Sequence, residues 1–168
     1  MEKFWNLIYY FAYIGDYKLH LLFNKINPVL FFYKLPYAKK HFKIMDVNPV
    51  NDLNKAFLRP DIGISSIRAG GLMMILVFLI CLGIGNFYIG INRIRFNIHI
   101  LPFIVAVAFT LIFNYLLLFR QNKYLNYFKD FDKIKDPIRK RYAWLSFGII
   151  LCILLFSVGS FIFMFHRL

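Results

Sequence analysis

Acidic residues are scarce: eight Asp and Glu stand against 21 Lys and Arg in 168 residues, a net charge of +13. Cysteine is scarcer still. Cys81 and Cys152 are the only two, which excludes a disulfide-built secreted scaffold and any zinc site of the Cys-x-x-Cys kind. Both fall inside apolar runs, where a thiol serves as a small packing residue. The patterns that mark chemistry are also missing. No HExxH, GxSxG, Walker A or GxGxxG stretch occurs, so no catalytic, metal or cofactor-binding residue is assigned and no cofactor is expected. Gly83-Ile84-Gly85 sits within an apolar run, where no phosphate can bind. There is no internal repeat and no low-complexity tract. Lys3 followed by "FWNLIYYFAYI" imitates a signal peptide, but no small-x-small cleavage site follows, so it reads as mature protein.

The chain is instead rich in apolar bulk. It is 60% hydrophobic and 20% aromatic, with only 17% charged residues, too apolar for an ordinary soluble domain. Positive charge on such a background fits a bilayer with an anionic face. Nucleic-acid binders reach this charge on a more polar background, so no nucleic-acid partner is expected.

Three stretches reach the roughly 20 apolar residues that crossing a bilayer needs. They run over residues 71–91, 98–119 and 143–165, and none contains Asp, Glu, Lys or Arg. A charge at mid-membrane costs about 2.5–3.5 kcal/mol on insertion scales. The expected fold is therefore an all-α integral membrane protein with three transmembrane helices. Residues 71–168 form its transmembrane domain, and residues 1–70 form a basic, aromatic, interface-associated region.

Lys and Arg set the orientation. Ten lie before Gly71 and eight between Arg120 and Tyr142, whereas the outer link holds Arg93 and Arg95 and the tail holds Arg167. Eighteen against three places the N-terminus and the second loop in the cytoplasm and the C-terminus outside. Arg68, Arg120 and Arg141 flank the three spans on that cytoplasmic side, and Trp144 anchors the third at interface depth. The expected location is the cytoplasmic membrane of a bacterium.

The loop 120–142 repeats aromatic and aliphatic residues at helical spacing: Tyr124, Tyr127, Phe128, Phe131, Ile134 and Ile138. Asp136-Pro137 has the form of an N-cap with proline at the first helical position. Residues 121–135 standing upright would rise about 22 Å, while the new helix has only about 9 Å in which to return. A helix lying flat in the interface resolves the mismatch, with aromatics toward lipid and Lys123, Lys129, Lys133, Lys135, Arg139, Lys140 and Arg141 toward anionic head groups. A bent, solvated loop is the alternative.

The first 70 residues carry similar chemistry. Leu19, Leu22, Phe23 and Ile26 mark one helical face, Asn27-Pro28 ends that helix, and "AKKHFK" forms a basic cluster. Residues 4–14 span only half a bilayer, and extending them would bury Asp16 and Lys18 at mid-membrane. Asn48-Pro49, Arg59-Pro60 and Asp61-Ile62-Gly63 then read as a linker. His20 and His41 read as surface positions. His99 and His166 share an outer depth and could meet over a metal or act as a pH sensor, although terminal histidines more often face water.

Ion-coupled transporters keep ionisable residues within the membrane; their lack argues against a self-contained pump. The polar and small residues inside the spans mark helix contacts, because lipid competes for apolar ones. These are Gly83, Asn86 and Gly90 in the first span; Ala106, Thr110 and Asn114 in the second; and Gly148, Cys152, Ser157 and Ser160 in the third. They serve packing within one protomer, a protein partner or a homo-oligomer. The leading expectation is a non-enzymatic multi-pass membrane protein, a small subunit, scaffold or anchor of a larger assembly. The alternative is a homo-oligomeric pore or membrane-perturbing effector, with Ala106, Thr110 and Asn114 along its lining. A membrane enzyme would need dispersed polar residues to converge in one cavity.

Overall fold

The structure is a computed structural model describing residues 1–93 and 100–167. The described residues are 90% helical and form α1 (Glu2–Ile26), α2 (Pro28–Lys34), α3 (Pro36–Ile44), α4 (Pro49–Leu58), α5 (Ile64–Asn92), α6 (Ile100–Asn114), α7 (Lys123–Asp132) and α8 (Asp136–Arg167). No strand occurs among them. Three helical stretches are long and apolar enough to cross a membrane: Ile64–Asn92, Ile100–Asp132 and Asp136–Arg167. Residues 1–10 together with 71–168 make one compact unit, and residues 11–70 make a second.

In the first unit, α6 does not stop at Asn114 but widens into a π turn over Tyr115–Phe119. The direction then changes at Gln121 (φ 58°) and Asn122 (φ 53°). Asn visits this left-handed region readily; for Gln the Cβ–carbonyl crowding costs roughly 1–2 kcal/mol. The turn releases α7 as a separate helix. Its Tyr124, Phe128 and Phe131 are buried, at the i, i+4, i+7 spacing of a single helical face.

What covers that face is α1. Phe128 meets Tyr9 at 5.1 Å between ring centroids and Tyr10 at 5.3 Å. Tyr124 lies 5.5 Å from Tyr9, and Phe131 lies 5.6 Å from Tyr10. The expectation that these aromatics turn toward lipid is thus corrected, because the chain's own first turns supply an aromatic surface for them. Tilted and edge-on aromatic pairs of this kind add about 0.5–1.5 kcal/mol each beyond their area.

Polar contacts frame the cluster. Lys123 donates to the Glu2 carboxylate at 2.9 Å and Tyr127 to its other oxygen at 3.3 Å. The Lys123 hydrogen bond is the main cause that holds the Glu2 carboxyl below its ordinary range. Tyr10 donates to Asp132 at 2.5 Å and receives Arg139 at 2.7 Å. Helix α8 opens at Asp136-Pro137 and runs unbroken for 32 residues.

Two of the short helices in the second unit start in the same way. Asn27 caps α2 by accepting from the Val29 amide at 2.9 Å, and Asn48 caps α4 by accepting from Asn51 at 3.2 Å. In each case proline follows in the first turn, where its missing N–H costs nothing. Residues 48–63, expected as a linker, therefore contain a ten-residue helix. Beyond it Arg59 grips Asp61 through two donors, at 3.2 and 2.8 Å, and holds that carboxyl at about 2. A Cβ at Gly63 would sit 2.1 Å from the Arg59 carbonyl oxygen, so only glycine fits this approach.

Candidate functional site

The span residues singled out by type divide into those the fold brings together and those it leaves apart. Along α5, Gly83 and Gly90 are hollows for α8. A Cβ at Gly83 would meet the Phe156 ring at 2.3 Å, and one at Gly90 the Phe163 ring at 2.9 Å. Between them Asn86 donates to Ser160 Oγ at 3.2 Å, and Ser160 donates to the Ser157 carbonyl at 2.6 Å. Phe87 fills the rest, 5.5 Å from Phe156 and 5.2 Å from Phe163.

In α6 Asn114 is fully buried and Thr110 is 5% exposed. The Asn114 carboxamide accepts from the Trp5 indole N–H at 3.1 Å, donates to the Thr110 carbonyl at 3.0 Å, and lies 3.5 Å from the Met73 carbonyl. Ala106 is half-buried. On α8, Gly148 has nothing within 4 Å of a built Cβ, and Cys152 is exposed. His166 is also exposed, while His99, its suggested partner, lies outside the described residues.

The basic positions of the second loop divide similarly. Lys123 and Arg139 are partly buried and engaged, with Glu2 and with Tyr10 and Asp132 respectively. Lys129, Lys133, Lys135, Lys140 and Arg141 are exposed. Lys133 reaches Asp130 at 3.6 Å, with both side chains largely in solvent, a contact worth little. Trp144 is 74% exposed, edge-on to Phe147.

A further polar cluster occupies the second unit, at residues not read as a site. His20 is half-buried rather than a surface residue. Its ring stacks on Phe57 at 3.5 Å between centroids and 7° between planes. Its Nε2 lies 2.8 Å from Asn24 Nδ2 and 3.2 Å from Asn54 Oδ1, and Asn24 also donates to Asn54 at 3.0 Å. The ring nitrogen accepts from Asn24 or donates to Asn54 according to its tautomer, and with the Asn24–Asn54 bond it ties three side chains on α1 and α4 together.

Beside them Asp16 faces Arg68 at 3.6 Å, and the Arg68 guanidinium lies 5.4 Å from the Phe57 ring centre. These groups line one cleft with Leu19, Phe23 and Leu53. Its sequence signal is the spacing of Asp16, His20 and Asn24 at i, i+4 and i+8, a polar stripe beside the apolar one. Among the described residues no group of three or more His, Cys, Asp or Glu is placed to hold a metal.

Comparison with protein-family models, with curated proteins and with solved structures gives no match to this chain.

Proposed function

We propose that this chain is a non-enzymatic, multi-pass membrane protein that serves as a small subunit, scaffold or anchor of a larger membrane assembly. The observation that carries this reading is how the polar groups of the long apolar helices are used. Asn86, Thr110, Asn114, Ser157 and Ser160 are all buried, and Asn114 and Asn86 spend their hydrogen bonds inside the chain. The surface left over is apolar. Only 11% of the most apolar window of the Ile100–Asp132 stretch is buried inside the protein, and Val105, Phe109 and Ile112 are among the exposed side chains of α6. Such a face suits lipid or a neighbouring helix and offers nothing to water. A pore lined by Ala106, Thr110 and Asn114 would have to pull Asn114 away from Trp5.

The charge distribution supplies the orientation in this reading. The N-terminal region and second loop lie in the cytoplasm of a bacterial cell, where Lys129, Lys135, Lys140 and Arg141 meet anionic head groups or an acidic partner. Each such cation near an anionic surface contributes about 1 kcal/mol. Reconstitution in liposomes with an ion-flux readout, alongside mass measurement in detergent, tests the proposal. A silent vesicle, with the chain recovered alone or with a different protein from native membranes, supports it. A homo-oligomer that conducts ions overturns it in favour of a pore.

A further inference from the structure

The cleft of the second unit combines four properties that rarely coincide without a ligand. It holds one carboxylate and one guanidinium, so its net charge is zero. The Asp16 carboxylate makes no hydrogen bond among the described residues: its Oδ2 is buried without a donor, and Oδ1 has only the long approach of Arg68 at 3.6 Å. The Arg68 side chain is 60% exposed and that of Asp16 is 20% exposed, leaving guanidinium donors to spare. Leu19, Phe23 and Leu53 provide an apolar wall. A carboxylate held largely out of water without hydrogen-bond donors is costly, and an entering N–H-bearing cation removes that cost.

We propose that this cleft binds a zwitterion carrying a primary ammonium beside a phosphate, the chemistry of an ethanolamine phospholipid head group. The ammonium donates to Asp16, the phosphate accepts from Arg68, and the glyceride or acyl portion follows Leu19 and Phe23. Neutrality of the Asp16–Arg68 pair disfavours a plain anion, which the exposed lysines elsewhere would suit better. A choline head group is disfavoured for two reasons. Its quaternary nitrogen has no N–H to give Asp16, and it needs aromatic faces, whereas the Phe57 ring already carries His20 and Arg68.

The position along α5 agrees with a lipid source. Arg68 precedes the uncharged run that opens at Gly71 by three residues, about 4.5 Å along the helix. The His20–Asn24–Asn54 lock keeps the cleft wall in place without using the groups that would meet the ligand.

Assignment to a lipid rests on the membrane reading, so the test separates the two. Alkaline carbonate extraction of native membranes checks residence first; release of the protein would sink the membrane reading alone. Full-length protein in detergent is then titrated with ethanolamine, choline and glycerol phospholipids of identical chains and read by native mass spectrometry. The expected result is roughly tenfold preferential retention of the ethanolamine lipid. Asp16→Asn abolishes the preference, and Asp130→Asn, at an exposed carboxylate of α7, leaves it intact. Should Asp16→Asn fail to fold, Leu19→Trp, which crowds the apolar wall at an exposed position, produces the same loss. Soluble glycerophosphoethanolamine binding as well as the lipid upholds the zwitterion chemistry and identifies a soluble source; weaker binding upholds it and identifies the lipid. Equal retention of ethanolamine and choline lipids by the wild type, or a preference that survives both variants, overturns the proposal.

Discussion

Replacing Asn114 with Leu leaves the Trp5 indole N–H buried with no acceptor, since Asn114 Oδ1 is its partner at 3.1 Å. Interhelical hydrogen bonds in membranes average only about 0.6 kcal/mol, but an orphaned buried donor costs about 1–3 kcal/mol. Asn114→Leu is therefore expected to destabilise by more than the average bond, read as a lowered midpoint of unfolding in detergent. Adding Trp5→Phe removes the orphan and should recover part of the loss. Strict additivity of the two changes would show that the bond contributes nothing. Glu2 gives a second, pH-dependent prediction. Its folded pKa is lowered, chiefly by the Lys123 hydrogen bond, so its stabilising contribution is present above its ordinary value of 4.5 and is lost as pH falls through the lowered one. Amide exchange of residues 2–10 should accelerate in that acidic window, and Glu2→Gln should make their exchange insensitive to it. An unchanged pH profile in the variant would rule out Glu2 as the titrating group.

At the scale of elements, α7 is held by its aromatic face and not by its lysines. Phe128 touches Tyr9, Tyr10 and Tyr124 at once, so Phe128→Ala is expected to cost about 3 kcal/mol or more. Lys129→Gln, one residue away and exposed, should stay within about 0.5 kcal/mol. Hydrogen exchange across residues 123–132 distinguishes them: only the Phe128 variant should lose protection there. The spacing that marks this face was legible in the sequence, but its partner was not. A periodic aromatic stripe says that one side of a helix is covered, whether by lipid or by protein. Here Tyr9 and Tyr10, more than 110 residues earlier in the chain, supply the cover. The short helices failed for a different reason. Asp136-Pro137 reads correctly as a helix start, and Asn27-Pro28 and Asn48-Pro49 carry the same cap-then-proline form, yet both also read as a helix stop or a linker. Whether such a pair ends one helix or begins the next depends on whether the following turn finds something to pack against. Asp16, His20 and Asn24 were obscured by the apolar stripe beside them; their meaning depends on Asn54, Phe57 and Arg68 arriving from α4 and α5.

For the molecule as a whole, the three long apolar helices follow directly from composition, because uncharged runs of this length have few other uses. Orientation follows from charge alone and remains a proposal that labelling can decide. The chain suits such a test, since both native cysteines lie within apolar helices: Cys81 in α5 and Cys152 in α8. In a background of Cys81→Ser and Cys152→Ser, single cysteines at Lys129 and Arg167 report the second loop and the tail. A membrane-impermeant maleimide applied to intact cells should label Arg167→Cys at once and Lys129→Cys only after permeabilisation. The eighteen-to-three bias in Lys and Arg makes the reverse pattern physically expensive, since the basic segments would have to cross against the positive-inside preference. Labelling of both sites from one side would mean that the only long helix between them, α8, does not cross the membrane. A crossing by residues 4–14, which precede both sites, would leave them on opposite sides, and a further cysteine at Lys3 would report it.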